Sequence, residues 1–234
     1  MPKHPTARRV HREADSPDDA FVANVLEASV WAKKNSRLLL IAGIVLVVGV
    51  LGTLYYVNYR AQMREQAGAR LNQVRQTVAS GNPTLAARDL QTFIEQFGNT
   101  PAGDEARLLL AQVHLHANAP EKALDVAAPL AGDKDDVLGA TAALLQAAAY
   151  EQAKQLEQAE QTYLSVADQA PFSYQRYQAL DRAAILRMDA GNAAGAAELY
   201  RRILESAPET LPQRPLYELR LGEAEAMAAT TGRS

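Results

Sequence analysis

A chain of 234 residues with a net charge of −3 and no cysteine excludes several classes at the outset. Without a thiol there is no disulfide framework, cysteine nucleophile, thiolate metal site or lipoprotein-type acyl anchor. Residues 1–60 hold 8 Lys+Arg against 5 Asp+Glu, whereas residues 61–234 hold 16 against 22; so acidic a larger portion is a poor match to nucleic-acid phosphates.

In chain order, residues 1–15 mix basic side chains with two prolines, and the composition predicts a disordered leader. Ser16-Pro17-Asp18-Asp19 then reads as a helix start. The serine caps, the proline suits the first helical position, and the aspartates oppose the positive end of the dipole. Phe21, Val22, Val25, Leu26 and Val30 share one face, which predicts an amphipathic juxtamembrane helix over 16–36. It would lie on a bilayer surface or dock against a partner's membrane helices.

Leu38 to Val57 is a run of twenty residues without a charge, about 30 Å as a helix and so one hydrocarbon core. Thirteen of them are Leu, Ile or Val, each contributing about −0.3 to −0.6 kcal/mol near a bilayer centre. Tyr55, Tyr56 and Tyr59 cluster at one edge and Lys33, Lys34 and Arg37 at the other, as interfacial residues do. The stretch predicts a transmembrane anchor over 37–59. It is too long, and lies too far along the chain, for a cleavable signal peptide. Its flanking charges are balanced, with Arg60, Arg64, Arg70 and Arg75 following, so charge does not orient it.

From Ala61 on, the sequence is rich in Ala, Gln, Leu and Glu without strand-like alternation. Breaks fall at Gly81-Asn82-Pro83, Gly98 to Gly103, Asn118 to Pro120, Gly132-Asp133, Pro171, Gly191-Asn192 and Pro208 to Pro215. Helices separated by short polar turns follow. Ala86, Ala123, Ala159 and Ala196 lie 37, 36 and 37 residues apart, each near the start of a second helix. Two units match further: Ala147, Tyr150, Ala159, Tyr163, Val166, Pro171, then Ala184, Gly191, Ala196, Tyr200, Ile203, Pro208. That is the tetratricopeptide pattern. Small residues allow close helix approach, the aromatic fills the gap to the next pair, and proline ends the second helix. Leu90 and Ala127 stand at the aromatic position of two degenerate units, and a last helix from about Leu216 to Ala229 would cover the open end. The expected fold is all-α: an amphipathic helix and a single transmembrane helix, then a tetratricopeptide-like α-solenoid over 61–234.

The segments FVANVLEASVWAKKNSR before the apolar run, GTLYYVNYRAQMREQAGARLNQV after it, and Phe97 to Ala127 resemble the bacterial ancillary SecYEG translocon subunit family. The resemblance covers roughly residues 21–210. It implies a single-pass protein of the bacterial inner membrane with a cytoplasmic N-terminus and periplasmic repeats. The partners implied are translocon subunits, periplasmic chaperones or client polypeptides, in Sec-dependent export or envelope protein quality control. The longer Arg/Pro-rich leader and the stretch Pro208 to Pro215 depart from the family, which leaves a second reading open: an assembly or structural subunit of another membrane complex, respiratory or photosynthetic. Homo-oligomerisation is compatible with the sequence.

No residue pattern suggests catalysis or a cofactor. His114 and His116 are two apart on a helix and cannot share a metal as an i, i+4 pair would. Asp133, Asp135 and Asp136 lack the register of a calcium loop and are expected to cap the following helix. What remains is protein binding. Projecting the first helix of each unit onto the face that lines a tetratricopeptide groove gives Glu105, Gln112 and His116, then Thr141, Glu151 and Gln152, then Gln178, Asp181 and Asp189. Such a face is polar and acidic, suited to basic or extended polypeptide. Arg176 with Tyr174 and Tyr177 is a secondary candidate at a repeat junction.

Overall fold

The computed structural model describes residue 29 and residues 31–231. The leader expected over 1–15, and residues 16–28 and 30 of the expected amphipathic helix, lie outside the described residues; residues 31–34 are helical. The chain divides into two compact units, residues 1–60 and 61–234, each taken by itself below.

From Ser36 on, nine helices follow among the described residues, with no strand. Helix α1 runs unbroken over Ser36–Ala79. In the first unit it carries the apolar run, and here its side chains face nothing: Leu40 is 64% exposed and Leu46 66%. Over eighteen residues its mean hydropathy reaches 2.6 with none of that window buried. It is the one helix among the described residues long and apolar enough to cross a membrane. Thr53 donates its hydroxyl to the Gly49 carbonyl at 2.8 Å, which satisfies its polar group within the helix itself. Tyr55 stacks on Tyr59 with centroids 6.4 Å apart, and the Arg60 guanidinium lies 5.6 Å from the Tyr56 ring centre.

The second unit contains the end of α1 and eight more helices: α2 (Pro83–Phe97), α3 (Pro101–His116), α4 (Pro120–Ala127), α5 (Val137–Gln152), α6 (Leu156–Gln169), α7 (Ser173–Asp189), α8 (Ala193–Ser206) and α9 (Arg214–Thr231). Local chemistry sets their starts. Pro83, Pro101 and Pro120 open α2, α3 and α4, where a missing N–H costs nothing. Asn82 accepts from the Leu85 N–H at 3.1 Å, Thr100 from Gly103 at 3.1 Å, and Asn192 from Gly195 at 3.0 Å. Asp136 accepts from the Leu138 N–H at 2.9 Å, so it caps α5 as expected.

The turn inside each helix pair contains one residue in the left-handed region: Gly81 (φ 76°), Asn118 (φ 54°), Lys154 (φ 63°) and Gly191 (φ 77°). Glycine takes that conformation freely and asparagine tolerates it. Lysine does not, which is why the turn between α5 and α6 is absent from the sequence-predicted breaks.

From α2 on, consecutive helices pack on one another, and α3 also touches α5 and α5 touches α7. The four register alanines are buried, Ala86 at 1% and Ala123, Ala159 and Ala196 at 0% exposure. Two apolar clusters form the core. Ala67, Leu71 and Val74 of α1 join Leu90, Phe93 and Leu110 in one, and Tyr163, Val166, Tyr200 and Ile203 anchor the other. The degenerate positions still fill the core, with Leu90 and Ala127 both at 0%. The gap that an aromatic ring spans in the later units is closed by a smaller side chain in the earlier ones.

Candidate functional site

The first helix of each pair presents the nine residues projected to line a groove. Gln112, His116, Gln152, Gln178 and Asp189 are exposed, and Glu105, Thr141, Glu151 and Asp181 are half-buried. The half-buried four are engaged between repeats. Glu105 on α3 pairs with Arg75 on α1, Glu151 on α5 with Arg182 on α7, and Asp181 on α7 with Arg220 on α9. Thr141 accepts from the side-chain amide of Gln175 at 3.1 Å. Each of the three carboxylates therefore has an arginine from an adjoining repeat against it, and the face is less acidic than its sequence suggests.

Two of these pairs belong to one recurring device. An acid on the first helix of a pair, a buried tyrosine on the second, and an arginine on the next first helix meet at a common point. In one copy the Tyr163 hydroxyl donates to Glu151 at 3.2 Å beside Arg182; in the other Tyr200 lies beside Asp181 and Arg220. Burial, reinforced by the carboxylate, pushes each tyrosine up to about 12, so both hydroxyls stay protonated. Burial works against the Arg182 cation, but its bonds to Glu151 and Tyr163 outweigh that and raise it further. Arg187 adds a second tie, reaching Glu160 at 2.7 Å and the Gly195 carbonyl at 3.0 Å.

Gln175 is the buried residue that the sequence did not single out. It is 0% exposed in the first turn of α7 and donates to the Val137 carbonyl at 3.1 Å as well as to Thr141. Its spacing is the missed signal. Gly103, Gly139 and Gln175 lie 36 residues apart, and a Cβ on Gly139 would meet the Asp133 carbonyl oxygen at 1.7 Å. At Gly103 and Gly139 the missing side chain lets the first turn of a helix lie against the chain that leads into it, and at the equivalent position α7 carries an amide.

All the exposed members but Gln112 fall into two clefts. His116, Gln152 and Asp189 share a cleft of about 640 Å³ with Glu151, Arg182 and Lys154, and Gln152 donates to the Leu115 carbonyl at 3.1 Å. Gln178 and Asp181 line a second cleft of about 540 Å³ with Tyr174, Tyr177 and Tyr217. There the Tyr177 hydroxyl donates to the Ser206 carbonyl at 2.8 Å. Tyr174 is 59% exposed and stacks on exposed Phe172, centroids 5.8 Å apart. Glu105, Gln112 and Thr141 line neither cleft. His114 and His116 do diverge: His114 is half-buried among α2, α3 and α4 residues near Lys122, and burial, then that ammonium, lowers its pKa. Among the described residues no cluster of His, Asp or Glu could hold a metal.

Helix pairs at 36–37-residue spacing, buried alanines in register and one left-handed residue per turn define a tetratricopeptide-repeat α-solenoid, an architecture whose stacked repeats build extended concave binding surfaces. Residues 29–137 match the family model described as a tetratricopeptide repeat-like domain, and residues 178–210 match a tetratricopeptide repeat. A tetratricopeptide repeat protein of Parabacteroides merdae has a similar structure at a TM-score of 0.54 and 18% identity, over 70% of this chain; the chain spans 61% of that protein's length. The kinesin light chain TPR-like repeats of Podosopora anserina are similar at a TM-score of 0.58 and 15% identity, over 73% of this chain and 90% of theirs. At such identities the likeness shows the fold alone. No curated protein matches the sequence.

Proposed function

We propose that this protein is a membrane-anchored tetratricopeptide scaffold that binds proteins at the periplasmic face of a bacterial inner membrane, as an accessory of Sec-dependent export or envelope protein quality control. The observation that carries the membrane assignment is the Leu38–Val57 segment of α1. Its apolar side chains are exposed all round, and burying them in lipid removes that area from water. The match to the tetratricopeptide repeat-like model begins at residue 29 and takes in this segment together with the first repeats, which supports reading the two as one architecture. The domain plan follows: a leader over 1–15, an amphipathic helix over 16–36, an anchor over 37–59 and repeats over 61–234. The periplasmic side and the export role rest on the resemblance of the segments flanking the span.

In the groove, the exposed Gln112, His116, Gln152, Gln178 and Asp189 contact the bound polypeptide, while Glu105, Thr141, Glu151 and Asp181 hold the repeats in place. A photo-crosslinking residue at Gln112 or Gln178 tests this in cells. Adducts with translocon subunits, periplasmic chaperones or secretory polypeptides are expected. Adducts confined to subunits of an unrelated membrane complex would replace the export reading with the assembly one.

A further inference from the structure

Within the second unit the junctions between successive helix pairs are not tied alike. Arg75–Glu105 joins α1 to α3, Glu151–Arg182 joins α5 to α7, Asp168–Arg202 joins α6 to α8, and Asp181–Arg220 joins α7 to α9. Buried Gln175 adds two hydrogen bonds from α7 to α5. Among the described residues no ion pair crosses from α3 or α4 to α5 or α6. The side-chain tie there is a single exposed hydrogen bond, from Gln152 to the Leu115 carbonyl at 3.1 Å.

The same junction is the poorest in bulky side chains. Helix α4 has 8 residues where the other second helices, α2, α6 and α8, have 15, 14 and 14. It buries Pro120, Ala123 and Ala127 and nothing larger, whereas α6 buries Tyr163 and Val166 and α8 buries Leu199, Tyr200 and Ile203. Residues 128–136 then run in turns before α5 begins. A solenoid's stability is the sum of its repeats and of the interfaces between neighbours, so it divides most readily at its weakest interface. We infer that the solenoid is jointed between α4 and α5, with residues 61–127 and 137–231 moving as two arms about the turns of 128–136. The larger cleft straddles this joint: Leu115 and His116 come from one arm, Gln152, Lys154 and Asp189 from the other. Flexing at the joint sets the width of that cleft, so the groove adjusts to the polypeptide it holds; this last consequence rests on the groove reading, and the joint itself does not.

The absence of cysteine makes the test direct. The full-length protein in detergent, with no polypeptide added, carries pairs of spin labels at exposed positions. Gln96→Cys with Gln158→Cys spans the joint, and Gln158→Cys with Glu223→Cys lies within the second arm. Pulsed electron paramagnetic resonance should give a distance distribution about two-fold broader, or more, for the first pair than for the second. Hydrogen exchange of the unlabelled protein, which needs no substitution, should sort the backbone amides into two groups that open separately, α2 and α3 in one and α5 to α9 in the other. Equal widths for the two label pairs, or one common opening of all these helices, overturns the joint. Because no polypeptide is present, that result leaves the crosslinking test of the groove untouched, and the two readings fail separately.

Discussion

Gln175 shows how one side chain ties two repeats. Its amide hydrogens reach Val137 and Thr141 of the preceding pair, and its own oxygen is buried without a protein partner. Gln175→Glu keeps the shape and puts a carboxyl where no cation waits. Burial raises that carboxyl above the ordinary value of about 4.3, so the folded form holds a proton that the unfolded chain releases. The contribution of this group is therefore fully present below about pH 4 and is lost as pH rises through the raised pKa. Denaturant titration should place the variant about 3 kcal/mol below the parent at pH 7, with the gap narrowing at pH 4. A gap that widens on acidification would contradict the burial argument. Lys154 makes the opposite case: it holds the left-handed position that glycine fills at Gly81 and Gly191. Lys154→Gly should gain about 0.5–1 kcal/mol in the same measurement. The sequence could not reveal Gln175, because glutamine is ordinarily exposed and only the 36-residue spacing from Gly139 marks the slot.

At the level of helices, much was legible where one residue type answers one physical need. Alanine at 37-, 36- and 37-residue intervals marks helix crossings, and proline or glycine marks the turns. The ion pairs were not legible. Glu151 and Arg182 stand 31 residues apart, and Asp181 and Arg220 39 apart, and nothing local says that a carboxylate on one pair will meet a guanidinium from the next. Hence residues projected as free groove acids turn out to hold repeats together. The continuity of the helix was equally hidden. Between Val57 and Ala79 no proline interrupts it, so one helix, α1, carries the apolar segment and runs on to Ala79. If its N-terminal part spans lipid, Val47→Arg places a charge near mid-membrane at about 2.5–3.5 kcal/mol. Carbonate extraction should then release a share of the variant that stays pelleted in the parent; equal retention would mean that the segment is not held by lipid.

Taken whole, the molecule combines one exposed apolar helix with a solenoid whose polar face is cross-tied by arginine. An acidic groove would be expected to attract basic polypeptide generally, but Glu105, Glu151 and Asp181 are each paired, so the proposed binding role falls to the uncharged and aromatic members, Gln112, Gln178 and Tyr174 among them. The side of the membrane is the claim on which the export role depends. The direct measurement is protease digestion of intact spheroplasts, followed with an antibody to the repeats. Periplasmic repeats are expected to be degraded without lysis while a cytoplasmic marker survives. Repeats that stay protected until the membrane is broken would contradict it.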